Sequence, residues 1–163
     1  MITDILNKIR TDMNNIFQDI YPWFDVPDDL VNYSPANGGW NIRQILEHIS
    51  LTNHFLLILI RKGAEGSLKK SLTADYTSQL ENYDLDWQKL QMIGTHKSFG
   101  WHRPDHMEPT GSITLPEIKN KIEMQYDQCI TYLDQLDKGQ GVLYKTMMTV
   151  NDLGKIDVYH YIY

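Results

Sequence analysis

Apolar residues return at steps of three and four along three stretches of the chain, the spacing of a helix with one buried face. In the first, Ile5, Ile9, Met13, Ile16, Phe17 and Ile20 form the stripe, Thr3 stands where a cap belongs, and Asp4 lies at the positive end of the helix. This helix is expected to end before Pro22, because proline pushes the residue ahead of it out of the α region. The second opens more sharply: Gly38-Gly39 frees the backbone, Asn41 can accept from the amide three residues on, and Gln44 can reach back to the Asn41 amide. Its stripe is Ile42, Ile45, Leu46, Ile49, Asn53, Leu56 and Ile60, with Arg43, Glu47, Ser50, His54 and Arg61 nearly opposite and therefore read as solvent-facing. His48 falls on the flank, in a row with Thr52, Phe55 and Leu59, looking into the groove between two helices. Gly63 and Gly66 are read as the end of the pattern. The third stretch has the strongest start, Thr114-Leu115-Pro116-Glu117, a Thr cap with proline in the first turn and Glu at the capping-box position. Ile118, Ile122, Tyr126, Cys129, Leu133 and Leu136 follow, and Lys138-Gly139-Gln140-Gly141 ends it.

The remaining segments are less periodic. Residues 21–39, with Pro22, Pro27, Pro35, Trp23, Phe24 and Tyr33, read as an ordered aromatic connection whose rings close one end of a bundle. Residues 67–84 are polar with a loose helical tendency, and 86–93 predict a short helix with Trp87, Leu90 and Ile93 inward. Residues 94–111, holding Phe99, Trp101, Pro104 and Pro109, are irregular, so the whole region between the second and third helices is either several short pieces or a functional lid. Residues 143–150 look extended, and Ile156, Tyr159, His160 and Tyr163 open a fourth helical pattern of barely two turns after Leu153-Gly154. Three long amphipathic helices and an incipient fourth predict an all-α bundle, a single domain over 1–163.

Composition narrows the partners. Fifteen Lys and Arg against 21 Asp and Glu give a formal charge of −6, with no basic cluster, which argues against nucleic acid. The single cysteine, Cys129, cannot form an internal disulfide, and residues 1–4 lack a signal-peptide pattern. The longest wholly apolar run, 55–60, is too short to span a bilayer. A cytoplasmic protein with no membrane partner is expected.

Among chemistry-bearing residues, His48 is the first candidate. Its ordinary role on a half-buried flank is to donate one ring nitrogen to a carbonyl or carboxylate, and its alternative role is that of a ligand. His102 and His106 have the H-x-x-x-H spacing of a helical metal site, but Pro104 lies between them and no apolar periodicity flanks them. Cys129 belongs to the third stripe as a small buried residue. His54 reads as solvated, and His96 and His160 as surface or end-of-bundle residues. No phosphate-binding glycine loop, Ser-His-Asp arrangement or cysteine cluster is present.

The run Gly39-Trp40-Asn41-Ile42-Arg43-Gln44-Ile45-Leu46-Glu47-His48-Ile49 resembles the signature helix of the DinB-like superfamily, a Trp, a capping polar residue, then an apolar helix with a histidine two turns in. Pro109-Thr110-Gly111-Ser112-Ile113-Thr114-Leu115-Pro116-Glu117 and Leu153-Gly154-Lys155-Ile156-Asp157-Val158-Tyr159-His160 resemble the starts of its third and fourth helices, so the likeness spans the chain. The resemblance implies an up-down-down-up four-helix bundle, here with a long irregular connection between helices two and three and a short or truncated fourth helix, and it implies a homodimer. It also implies a divalent metal, zinc or nickel, held by three histidines, for which His48 matches the ligand from the second helix. The other two belong to an H-x-x-x-H farther along the fourth helix than this sequence reaches, and His160 is not at the matching position. With the site complete, the implied function is that of a thiol S-transferase related to bacillithiol-dependent transferases, the metal activating a small-molecule thiol for attack on an electrophile. No catalytic residue is assigned. With the site incomplete, no cofactor is expected, and the alternative is a non-catalytic dimeric bundle serving ligand binding or assembly.

Overall fold

The computed structural model describes residues 2–95, 98–100 and 104–163. Among these, the long helices are α1 (Ile2–Ile20), α3 (Ile42–Ser71) and α6 (Leu115–Gln135). Short ones, α2 (Asp28–Val31), α4 (Thr77–Glu81), α5 (Trp87–Ile93) and α7 (Val158–Ile162), fill the connections, and β1 (Lys145–Met148) pairs antiparallel with β2 (Gly154–Asp157). The chain is mostly helical, as the periodicity predicts; the small sheet is a departure from an all-α fold.

Both expected capping boxes form. The Asn41 side chain accepts from Gln44 N at 2.9 Å while Gln44 Oε1 accepts from Asn41 N at 3.1 Å, and Thr114 and Glu117 exchange the same pair of bonds at the head of α6. α1 stops at Ile20 and Pro22 enters a 3₁₀ turn. Thr3, however, lies inside the first turn of α1 instead of preceding it.

The main core joins Ile5, Leu6, Ile9 and Met13 of α1 to Leu57, Ile60 and Ala64 of α3, Leu133 at the end of α6, and Tyr159 and Ile162 of α7. A smaller cluster of Leu46, Ile118 and Ile122 lies at the other end of α3, and Phe24 packs against it from the aromatic connection. Trp23 and Tyr33 do not help to close that end, being 50% and 64% exposed. Ile16 and Ile45 also leave their expected stripes for solvent, whereas Leu90 of α5 is buried as read and Ile93 is exposed.

α3 is longer than its glycines suggest. It runs through Gly63 and Gly66 to Ser71, and both glycines face crossing side chains instead of ending the helix. A Cβ at Gly63 would lie 2.7 Å from Val158 Cγ2, and one at Gly66 would collide with the Tyr144 ring. These glycines let the hairpin and α7 lie directly on the helix. The hairpin has Lys145 opposite Asp157 and Met148 opposite Gly154, and Asn151 and Asp152 in its loop take φ of 47° and 51°, a conformation Asn and Asp tolerate better than most residues. Consequently Ile156, expected to open the fourth helix, lies in a strand, and α7 starts only at Val158. Tyr159 anchors this end: its ring is buried, its hydroxyl donates to Leu136 O at 2.6 Å and accepts from Gly141 N at 3.0 Å.

Candidate functional site

The capping box sets the direction in which α3 leaves residue 41, and so aims the side chains of its second turn. Two consecutive ones, Glu47 and His48, seize the same segment, residues 107–111, from below. His48 Nδ1 lies 2.7 Å from Met107 O, and since a carbonyl only accepts, this nitrogen carries the proton. In the neutral form of the ring Nε2 is then the nitrogen with the lone pair. The Trp40 ring lies against the imidazole, centroids 4.8 Å apart, and fixes its other face. The ordinary role expected for a half-buried histidine is therefore filled at one nitrogen, with the ligand-type nitrogen left to the other.

Glu47 corrects the sequence reading outright. Expected in solvent, it is 1% exposed, with Oε1 accepting from Thr110 N and Thr110 Oγ1 at 2.9 Å each and Oε2 from Gly111 N at 2.7 Å. Gly111 takes φ of 71°, which suits glycine and turns its amide toward the carboxylate. Ser50, also assigned to the solvated face, is 2% exposed beside α6, whose Gln125 donates to Ser50 O at 2.8 Å. Both errors have one cause: α3 is covered on more than one side, by helices along one arc and by the 104–114 segment along another. The sequence signal for Glu47 was the Thr110-Gly111-Ser112 turn, whose amides need an acceptor, but nothing local says where that acceptor is.

His106 belongs to a 3₁₀ turn, Asp105–Met107, that starts after Pro104, so no helical H-x-x-x-H face passes through it. Its ring packs on Phe55 at 4.1 Å between centroids. His102 and His96 lie outside the described residues. His54 is exposed as read, and Cys129 is largely buried, its thiol pushed up to about 11 by burial, which suits a packing residue and not a nucleophile.

Against this geometry a comparison with family models is decisive. The model of the DinB superfamily matches residues 6–163, nearly the whole chain. The chain belongs to the DinB superfamily. No curated protein and no solved structure matches it. For a DinB-superfamily metal, the donor chemistry of His48 fits: an imidazole with one nitrogen tied to a carbonyl is the arrangement that orients a ligating ring. The number of donors does not fit. Among the described residues no group of three or more His, Cys, Asp or Glu is placed to hold an ion, and one imidazole does not hold a divalent metal against water. None of the described helices is long and apolar enough to cross a membrane.

Proposed function

We propose that this DinB-superfamily chain is a metal-dependent thiol S-transferase in which His48 Nε2 is one ligand and the remaining ligands come from outside the described residues. The observation that carries the reading is the tethered tautomer of His48, with Nδ1–H on Met107 O and the ring held by Trp40. With its remaining ligands supplied, His48 Nε2 would be one of the residues holding a divalent metal, and the chemistry that metal would supply is Lewis acidity that lowers the pKa of a thiol. This chain's own part is to orient His48 and to hold the 107–111 segment over it through Glu47. The up-down-down-up arrangement, with α7 opening the fourth helix, the homodimer and a cytoplasmic location belong to the same proposal.

The second reading, a non-catalytic bundle for ligand binding or assembly, is favoured by a donor set that, among the described residues, never gathers three His, Cys, Asp or Glu at one point. Metal content of tag-free protein, beside His48→Ala prepared identically, separates the two. About one divalent metal per chain, lost in the variant, together with thiol-dependent consumption of an electrophile that a chelator abolishes, is the transferase outcome. Two folded, metal-free proteins refute it and leave the binding or assembly module.

A further inference from the structure

The turn ahead of α3 holds the sequence's one Asn-Gly pair, Asn37-Gly38. Both residues are exposed, and so is Gly39 after them. Gly38 takes φ of 74° and its N donates to Pro35 O at 3.0 Å, while the Asn37 side chain folds forward so that Oδ1 accepts from Gly39 N at 3.1 Å. Trp40, next in the chain, sets its ring against the His48 imidazole.

An asparagine amide can react with the backbone nitrogen that follows it. Gly38 N, after losing its proton to hydroxide, attacks Asn37 Cγ; the new C–N bond closes a succinimide ring, the Cγ–Nδ2 bond breaks, and Nδ2 takes a proton from water and leaves as ammonia. Water then opens the ring at one carbonyl or the other, giving aspartate or isoaspartate. Water is consumed, ammonia is released, and nothing is oxidised or reduced. A side chain on the following residue crowds the attacking nitrogen, and glycine has none. The Gly39 N–H already rests on the oxygen that becomes negative during the attack, the place of an oxyanion donor. The opposing feature is the bond from Gly38 N to Pro35 O, which must open first; a single bond in an exposed turn slows the reaction by no more than about tenfold. The asparagines inside α1, α3 and α6 precede N–H groups held in the helix, and Asn41 has its Oδ1 committed to Gln44 N ahead of a branched Ile42.

We propose that Asn37 is a deamidation site and that the isoaspartate formed there loosens Trp40 from His48. Isoaspartate routes the main chain through the former side chain, which lengthens the backbone by one carbon three residues before Trp40 and turns the oxygen now bound by Gly39 N into a main-chain carbonyl. The aspartate product keeps the main chain, and its carboxylate can accept from Gly39 N as the amide does, so it preserves the turn. The effect falls on the ring that supports His48 and is independent of any metal there.

The test is to age the full chain in warm, mildly alkaline buffer beside a synthetic peptide spanning residues 34–40, with Asn37→Ser and Asn37→Asp treated identically. Intact mass should rise by one unit at a rate within about tenfold of the peptide, peptide mapping should place the change at Asn37, and a protease that cuts before aspartate but not isoaspartate should divide the two products. Asn37→Ser, which keeps an oxygen for Gly39 N but has no amide to lose, should show no gain at that peptide. In NMR spectra the His48 ring resonances of the isoaspartate fraction should move, whereas those of fresh Asn37→Asp should match the unaged chain. Conversion slower than the peptide by more than about tenfold, or a mass gain placed at another asparagine, overturns the site. An isoaspartate fraction whose His48 resonances coincide with those of the unaged chain, or an equal shift in Asn37→Asp, overturns its effect on Trp40.

Discussion

Truncating Glu47 to alanine tests whether the carboxylate holds the 107–111 segment over His48. The side chain accepts three hydrogen bonds, from Thr110 N, Thr110 Oγ1 and Gly111 N. A hydrogen bond to a charged group contributes about 1.5–3 kcal/mol. The three do not add in full, because Thr110 is exposed and its released groups meet water. Buried as it is at 1% exposure, the site also loses methylene packing. The expected loss for Glu47→Ala is therefore about 2–4 kcal/mol, the worth of one or two such bonds and not three. Urea unfolding at constant m reads the global part, and amide exchange at Thr110 and Gly111 reads the local part. The His48 ring nitrogens should respond too: once Met107 O drifts, the Nδ1–H tautomer loses its preference, visible in the imidazole ¹⁵N shifts. Glu47→Gln is the finer probe, since its amide sets a donor against Gly111 N–H while leaving one acceptor; it should speed exchange at Gly111 more than at Thr110. A change below about 0.5 kcal/mol in Glu47→Ala, inside the range of ordinary surface substitutions, with Gly111 exchange unaltered, would refute the clamp.

Gly63→Ala gains about 1 kcal/mol of helix propensity but drives a Cβ to within 2.7 Å of Val158 Cγ2, so a net destabilisation of about 1–2 kcal/mol is expected. Val158→Ala should relieve that clash, giving a favourable coupling in a double-mutant cycle of urea melts; a cycle with zero coupling would show that the two do not meet. The Cys129 thiol is raised from 9.0 to about 11 by burial, so the native state holds its proton more tightly than the unfolded one. The stability this confers is complete below about pH 9 and is lost as pH rises through 11, at up to about 1.4 kcal/mol per pH unit, and Cys129→Ala should flatten that limb of a pH series of melts. At neutral pH the same thiol should resist a disulfide reagent until the protein is unfolded, and rapid labelling of the native chain would contradict its burial.

What could be read from the letters was whatever acts over three or four residues. The Asn41–Gln44 and Thr114–Glu117 boxes need only local spacing, and Ile118, Ile122 and Leu133 of α6 were legible because one face of that helix is buried. α3 is covered on more than one side, so a single-face pattern places Glu47 and Ser50 in solvent and Ile45 in the core, the reverse of where they lie. Gly63 and Gly66 read as breakers because glycine costs about 1 kcal/mol inside a helix, a cost offset here by the approach of Val158 and Tyr144 from the far end of the chain. The first strand of the hairpin lies within residues 143–150, which read as extended, but its partner is not legible for a related reason: the register depends on a loop held by Asn151 and Asp152 at positive φ, and only the pairing sets Lys145 opposite Asp157. At the candidate site, His48 and the ordinary role of its ring were legible, while its partner, 59 positions away, was not.

That separation has a consequence for how freely the chain can vary. The contacts from Glu47 and His48 to residues 107–111 close a loop whose ends are 59 to 64 positions apart. Closure entropy grows only as (3/2)RT ln n, so inserting ten residues into a loop of this size adds about 0.1 kcal/mol. The exposed turn that follows α3, where Leu72 is 83% exposed, is a place to insert them. The clamp over His48 should thus survive large differences in the length of the exposed turn that follows Ser71, whereas a single residue inserted between Met107 and Gly111 would put one grip out of step with the other.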